Sequence, residues 1–275
     1  MDPAFSVRFW GVRGSIACSG PRTARYGGNT SSLEVRCGER LLLFDAGTGI
    51  RYLGKTLEGK RLDADLFFTH THFDHICGLP FFRPFFESGN RFRLWAGHLD
   101  GRQVTLKRVL AEFMMSPLFP VPPEIFHARM EYRDFKSGDT LHPADGFVVR
   151  TAPLNHPDGA TGYRVEYGGK SLCYVTDTEH VPGNPDRNVL GLIAGADLVV
   201  YDCMYTDEEY PRFATWGHST WQEGVRLCRE AGAKRLVVFH HEPDHDDDML
   251  DGVAREVDRA LPGSLVAKEG LVLEP

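Results

Sequence analysis

Asp65-Leu66-Phe67-Phe68-Thr69-His70-Thr71-His72-Phe73-Asp74-His75 is the stretch whose reading decides the fold. The run from Asp65 to Thr69 reads as a buried strand, and it ends in four metal-binding side chains within six residues, His70 to His75. On an extended tail His70 and His72 point to the same side, because strand side chains alternate. A turn beyond them brings Asp74 and His75 round to a second position. Imidazole and carboxylate suit zinc and similar divalent ions, and two adjacent ions fit the donors offered.

Further donors lie at the ends of other buried runs. His156 follows a strand in Leu154-Asn155-His156-Pro157, and Asp177 closes Tyr174-Val175-Thr176-Asp177. His240 and His241 follow Val237-Val238-Phe239. Loops at the ends of rigid elements are where a scaffold presents functional groups. His98, His127, His142, His180 and His245 stand outside this pattern and read as non-ligands. The acidic stretch Asp244 to Asp248 reads as a solvated helix start, with aspartate at the favourable end of the dipole.

Around these points short β-like runs alternate with helical ones. Ser6 to Trp10, Leu33 to Cys37 and Arg40 to Asp45 read as strands, as do Phe147 to Ala152, Tyr163 to Tyr167, Ser171 to Thr176, Asp197 to Tyr201 and Arg235 to Phe239. Gly168-Gly169 predicts a hairpin turn. Helices are predicted over Gln103 to Met115, Asn188 to Ala194, Thr220 to Ala231 with Ser219 as its cap, and Asp247 to Leu261. Four prolines between Met114 and Pro123 exclude regular helix there, and the 116–123 segment reads as a covering loop or lid. No linker or short-period repeat appears, so one domain over residues 1–275 is expected.

The composition fits that picture. The chain is 42% hydrophobic and 25% charged over 275 residues, which excludes disorder as its main state. None of the six cysteines forms a CxxC pair, so a reduced, cytoplasmic protein is expected. Met1 to Phe5 lacks a basic region followed by an apolar core, and no apolar run approaches the roughly 20 residues of a membrane helix. The net charge of −7 sits in the stretch from Glu242 to Pro275, with ten acids against three bases. From Phe81 to Lys136 there is a mild excess, nine Lys/Arg over six Asp/Glu. That balance does not favour a nucleic-acid grip, but it permits a basic rim that steers a small phosphorylated substrate.

HxHxDH after a strand, followed by separate His, Asp and His positions, resembles the metallo-β-lactamase superfamily across nearly the whole chain. Phe44-Asp45-Ala46-Gly47 is similar to that family's strand-then-Asp-x-Gly element. The resemblance implies an α/β (α+β) fold, a four-layer αβ/βα sandwich with metals at the sheet edge. It also implies that His70, His72 and His156 bind one metal. Asp74, His75 and a C-terminal histidine, His240 in preference to His241, would bind the second, with Asp177 bridging. Zinc is favoured, and manganese or iron suits the same donors.

Trp216-Gly217-His218-Ser219-Thr220, Asn155-His156-Pro157 and Gly162-Tyr163-Arg164 narrow the resemblance to the tRNase Z and cyclic phosphodiesterase-like branch. Gly11-Val12-Arg13-Gly14-Ser15 and Tyr26-Gly27-Gly28-Asn29-Thr30-Ser31 resemble its phosphoribosyl cyclic phosphodiesterase-like members. The implied activity is in-line hydrolysis of a cyclic nucleotide or similar small phosphodiester by hydroxide held between two metals. Asp74 and His218 are the expected catalytic residues, with His218 serving the leaving alkoxide. Asn29, Ser31 and Arg13 are the expected substrate contacts, although Arg13 equally suits a loop anchor. The alternatives are a tRNase Z-like endoribonuclease, a thioester or lactam hydrolase, and a non-catalytic metal-binding sensor. A homodimer is compatible with the sequence. Phe81-Phe82-Arg83-Pro84-Phe85-Phe86 suits an interface, the core or a pocket wall.

Overall fold

The computed structural model describes residues 5–144 and 147–275; residues 1–4, part of the segment read for a signal sequence, lie outside them. The first half of the chain lays down β1 (Phe5–Gly11), β2 (Ser32–Cys37), β3 (Arg40–Phe44), β4 (Asp63–Phe68), β5 (Arg91–Ala96) and β6 (Arg129–Asp134). The second half lays down β7 (Thr140–Ala144), β8 (Phe147–Leu154), β9 (Ala160–Tyr167), β10 (Lys170–Val175), β11 (Leu198–Asp202), β12 (Leu236–Phe239) and β13 (Leu265–Val266). The last strand, β14 (Val272–Leu273), returns to the first sheet. The orders are β14-β1-β2-β3-β4-β5-β6 and β13-β12-β11-β10-β9-β8-β7.

Alternation along each strand builds the layers. In β3, Leu42 and Phe44 enter the core between the sheets, while Leu41 and Leu43 pack outward. In β12, Val237 and Phe239 face the shared core, and Leu236 and Val238 face the opposite side. The outward faces are covered by α1 (Ile50–Leu57) and α3 (Leu106–Phe113) on the first sheet, and the single turn α2 (Phe73–Ile76), between them in the chain, carries Asp74 and His75. On the second they are covered by α4 (Arg187–Ile193), α5 (Trp221–Ala231) and α6 (Asp247–Ala260). The result is the expected four-layer sandwich. Strands buried on both faces read as continuous apolar runs, which is why β4 and β12 stand out in sequence. The one buried charge on the inward face of β4, Asp65, is held by Arg93 at 2.6 Å and by the Trp95 indole at 2.9 Å.

Several local expectations shift. Two strands that were not predicted, β5 and β6, flank the predicted helix and lid; β6 is an edge strand whose charges alternate with Met130 and Tyr132. The cap of α5 is Thr220, whose hydroxyl accepts from Glu223 N, and not Ser219. Gly168 and Gly169 both have positive φ, 58° and 76°, as a tight hairpin requires. Phe82 and Phe85 are core, whereas Phe81 and Phe86 remain exposed. No helix among the described residues is long and apolar enough to cross a membrane.

Strand direction positions the site. β3 runs parallel to β4, β10 to β11 and β11 to β12, and β8 is antiparallel to β9, which is antiparallel to β10. The carboxyl ends of β3 and β4 therefore share one edge of their sheet, and those of β8, β10, β11 and β12 share one edge of the other. Asp45, His70 to His75, His156, Asp177, Asp202 and His240 all follow or close these ends.

Candidate metal centre

His70, His72 and His156 offer ring nitrogens that lie within 4.8 Å of one another, and Asp74, His75 and His240 form a second such group. Asp177 lies between the two. Its Oδ1 is 3.8 Å from His70 Nε2 and from His156 Nε2, and its Oδ2 is 3.1 Å from His75 Nε2 and 3.3 Å from His240 Nε2. Each carboxylate oxygen thus serves one group. Asp74 Oδ2 stands 3.2 Å from His75 Nε2 and 3.4 Å from His240 Nε2.

Buried polar atoms almost always have partners. Here His70 Nε2, His75 Nε2 and both ring nitrogens of His240 are buried without a hydrogen bond. Divalent ions satisfy such atoms, so the residues present fit the metals the fold implies. Asp177 and His240 also hold φ of 58° and 61°, a left-handed conformation that side chains rarely adopt and that concentrates at functional sites.

Outer partners orient the rings. His75 Nδ1 meets Asp45 Oδ2 at 2.9 Å, and the buried Asp45 also accepts from Thr69 N at 2.8 Å and Tyr174 OH at 2.9 Å. His156 Nδ1 donates to Gly217 O at 2.8 Å, which leaves Nε2 with its lone pair available to a metal. Only glycine fits at 217: φ is 87°, and a Cβ there would stand 2.4 Å from the His156 ring. Burial, then repulsion from His75, lowers the pKa of His70 far below its usual value and keeps it neutral for ligation. Burial opposes charge on His75, but Asp74, Asp177 and Asp45 overcome it and raise its pKa.

His240, not His241, joins the cluster. His241 turns away and meets Ala267 O through Nε2 at 2.8 Å. The five other histidines stay out of these groups; His98 Nε2 pairs with Thr71 Oγ1 at 3.0 Å, and His245 Nε2 with Glu209 at 2.9 Å.

The expected substrate contacts need correction. Arg13 is fully buried, and its guanidinium donates to Gly27 O at 2.9 Å, Glu242 O at 3.0 Å and His245 O at 2.6 Å, so it anchors loops. Asn29 is occupied by Glu269, from its backbone N at 2.7 Å and its amide at 3.0 Å. Ser31 is buried. This loop system reaches the centre through a different group, the Ser15 N–H, which donates to Asp74 Oδ2 at 2.9 Å.

His218 lies beside the cluster, its ring 5.1 Å from that of His240 and 5.4 Å from that of His156. Its Nδ1 meets Asp202 Oδ2 at 2.9 Å, and Asp202 is braced by Thr178 N at 3.1 Å and Met204 N at 3.2 Å. Burial opposes charge on His218, but the charge and hydrogen bond of Asp202 prevail, and its pKa rises to about 9. Sequence reasoning missed Asp202. Its only signal was an acid closing the buried run of β11.

Comparison with known proteins agrees with this architecture. The family model described as "Beta-lactamase superfamily domain" matches residues 40–241, and the chain belongs to that family. Ribonuclease Z of Myxococcus xanthus is 30% identical over 271 residues, spanning 80% of this chain and 83% of that protein. The metallo-β-lactamase fold protein YhfI from Bacillus subtilis superposes with a TM-score of 0.73 at 20% identity, covering 99% of this chain and 100% of YhfI. A diphosphatase of the PhnP family gives 0.72 at 21%, covering 98% and 97%. The protein is thus a hydrolase-family member whose fold implies divalent metals.

Proposed function

We propose that the protein is a dinuclear metal-dependent phosphodiesterase acting on a cyclic nucleotide or a similarly small phosphodiester. The observation that carries this reading is the His218–Asp202 pair at 2.9 Å, set against the metal-ligand cluster. A thioester's thiolate leaves without a proton and a metal-binding sensor transfers none, so neither needs a positioned imidazolium.

His70, His72 and His156 would hold one ion, and Asp74, His75 and His240 the other, with Asp177 shared. When bound, divalent ions supply Lewis-acid polarisation of the phosphate and activate water at neutral pH. The donor set favours zinc, and manganese or iron is compatible with it. The chain's own residues do the rest. Asp177 offsets positive charge between the two groups. Asp202 fixes the Nδ1 proton of His218, so Nε2 is the nitrogen that gives a proton to the leaving alkoxide. The Asp202 carboxylate favours the protonated form of the His218 ring.

A second reading, an endoribonuclease, is favoured by the 30% identity to ribonuclease Z of Myxococcus xanthus. Hydrolysis of bis(p-nitrophenyl) phosphate by zinc- or manganese-loaded protein tests both readings against non-phosphodiester chemistry. On adenosine 2′,3′-cyclic phosphate, whose leaving group is an alkoxide, His218→Ala is expected to keep its metal and lose about 10²- to 10⁴-fold in turnover, with a much smaller loss on bis(p-nitrophenyl) phosphate, whose p-nitrophenolate departs without a proton. Unchanged turnover of the cyclic phosphate removes the acid role, and an inactive metal-loaded wild type overturns the phosphodiesterase reading.

A further inference from the structure

Trp216, two residues before His218, is 62% exposed, although tryptophan is highly buried on average. A solitary exposed apolar side chain is ordinary. This one is held in place. Its ring rests edge-on against Phe213 at 5.5 Å, and Phe213 stacks on Tyr205 at 4.4 Å with ring planes 5° apart. Tyr205 in turn contacts the His218 ring at 6.2 Å.

The backbone beneath Trp216 is strained and clamped. Thr215 has φ of 78°, a genuine outlier for a β-branched residue. The Glu179 carboxylate accepts from Thr215 N at 2.8 Å and from Gly217 N at 2.7 Å, on either side of Trp216. Glu179 is itself tied to the His156 loop, its N–H donating to Asn155 O at 2.7 Å and its carbonyl accepting from Asn155 Nδ2 at 2.9 Å. The loop that presents Trp216 to solvent is therefore fixed to the loops that carry His156 and Asp177. A second exposed ring, Phe73 at 64%, sits between His72 and Asp74.

We infer that Trp216 is a stacking platform for a nucleobase attached to the scissile phosphodiester, held in register with the metal centre by Glu179. The inference rests on the phosphodiesterase reading and narrows its substrate class to base-bearing phosphodiesters. A nucleobase is planar and has a π-face whatever its sequence, and base–aromatic stacking needs a rigid exposed ring of this kind.

The test compares adenosine 2′,3′-cyclic phosphate with methyl riboside 2′,3′-cyclic phosphate, which shares the reacting ring and lacks the base. Trp216→Ala is expected to lose about 10- to 100-fold in kcat/KM on the nucleotide and under about twofold on the riboside. Trp216→Phe keeps most of the nucleotide activity. Equal losses on both compounds, or none on either, overturn the platform while leaving a phosphodiesterase. Calorimetric titration of adenosine 2′,3′-cyclic phosphate into wild type and Trp216→Ala separates the two claims. Binding that depends on Trp216 without any turnover upholds the platform and removes the phosphodiesterase reading. Absence of both binding and turnover removes both. A hexameric oligoribonucleotide run alongside tells whether the base belongs to a small nucleotide or to RNA.

Discussion

Replacing Asp45 with Asn tests how the fold controls the metal centre from behind it. Asp45 Oδ1 accepts from the Thr69 backbone N–H at 2.8 Å, and Oδ2 accepts from His75 Nδ1 and Tyr174 OH, both at 2.9 Å. A backbone N–H cannot reverse its role, so the amide oxygen of Asn must occupy the Oδ1 position. The NH2 group then faces His75 Nδ1. Two donors cannot share that contact, and the imidazole must move its proton to Nε2. Nε2 is the atom that looks toward Asp74 and Asp177, and once protonated it cannot ligate. Loss of such an outer partner typically costs 10- to 100-fold in metal affinity, about 1.4–2.7 kcal/mol. Disturbing the buried Tyr174 hydroxyl adds a stability loss of about 1–3 kcal/mol in the metal-free protein. Chelator-competition titration reads the first quantity, and thermal unfolding in EDTA reads the second. A variant that binds both ions as wild type does would refute the tautomer argument, even if its melting temperature fell.

Arg13→Met leaves three backbone carbonyls without their buried donor; it should destabilise the fold by about 3 kcal/mol or more in urea unfolding while sparing turnover per metal-loaded molecule. A selective rise in KM with intact stability would restore a substrate role to Arg13. His240→Ala should lower the bound-metal stoichiometry measured by elemental analysis, whereas His241→Ala should keep it and lose stability through the Ala267 contact. Asp197 supplies the pH dependence. Burial opposes its charge, but Lys234 and Ser171 hold its pKa down from 3.8 to about 2. Its contribution to stability is present above about pH 3.8 and lost as the pH falls toward 2. Asp197→Asn should flatten the fall in stability across that window, and an unchanged acid-unfolding curve would count against the pair.

What could be read from the sequence follows from how directly a residue's surroundings are written beside it. The apolar runs of β4 and β12 are buried on both faces, so their burial and the polar residues that end them were visible locally. His70, His72, Asp74, His75, His156, Asp177 and His240 all stand at such endings. β5 escaped notice although it lies buried between β4 and β6, and β6, at the sheet edge, sets only Met130 and Tyr132 against the core and alternates them with charges.

Side-chain direction was not legible. Arg13 and Asn29 sit in glycine-rich loops that look suited to phosphate, yet their partners, the carbonyls of Glu242 and His245 and the carboxylate of Glu269, lie more than 200 positions away in the chain. The choice between His240 and His241 was likewise decided by where β12 ends beside Asp177. Asp45, Asp202 and Glu179 act on rings and loops brought to them by the second sheet or by a crossover, and no local pattern records such pairings. The sequence alone determined most of the central sheet-forming runs, the donor types and the order of the candidate donors, because these depend on neighbours along the chain. Only the packing of the two sheets decided which donors share an oxygen of Asp177, which histidine faces inward and which exposed ring stands beside them, because those contacts join residues that the chain keeps far apart.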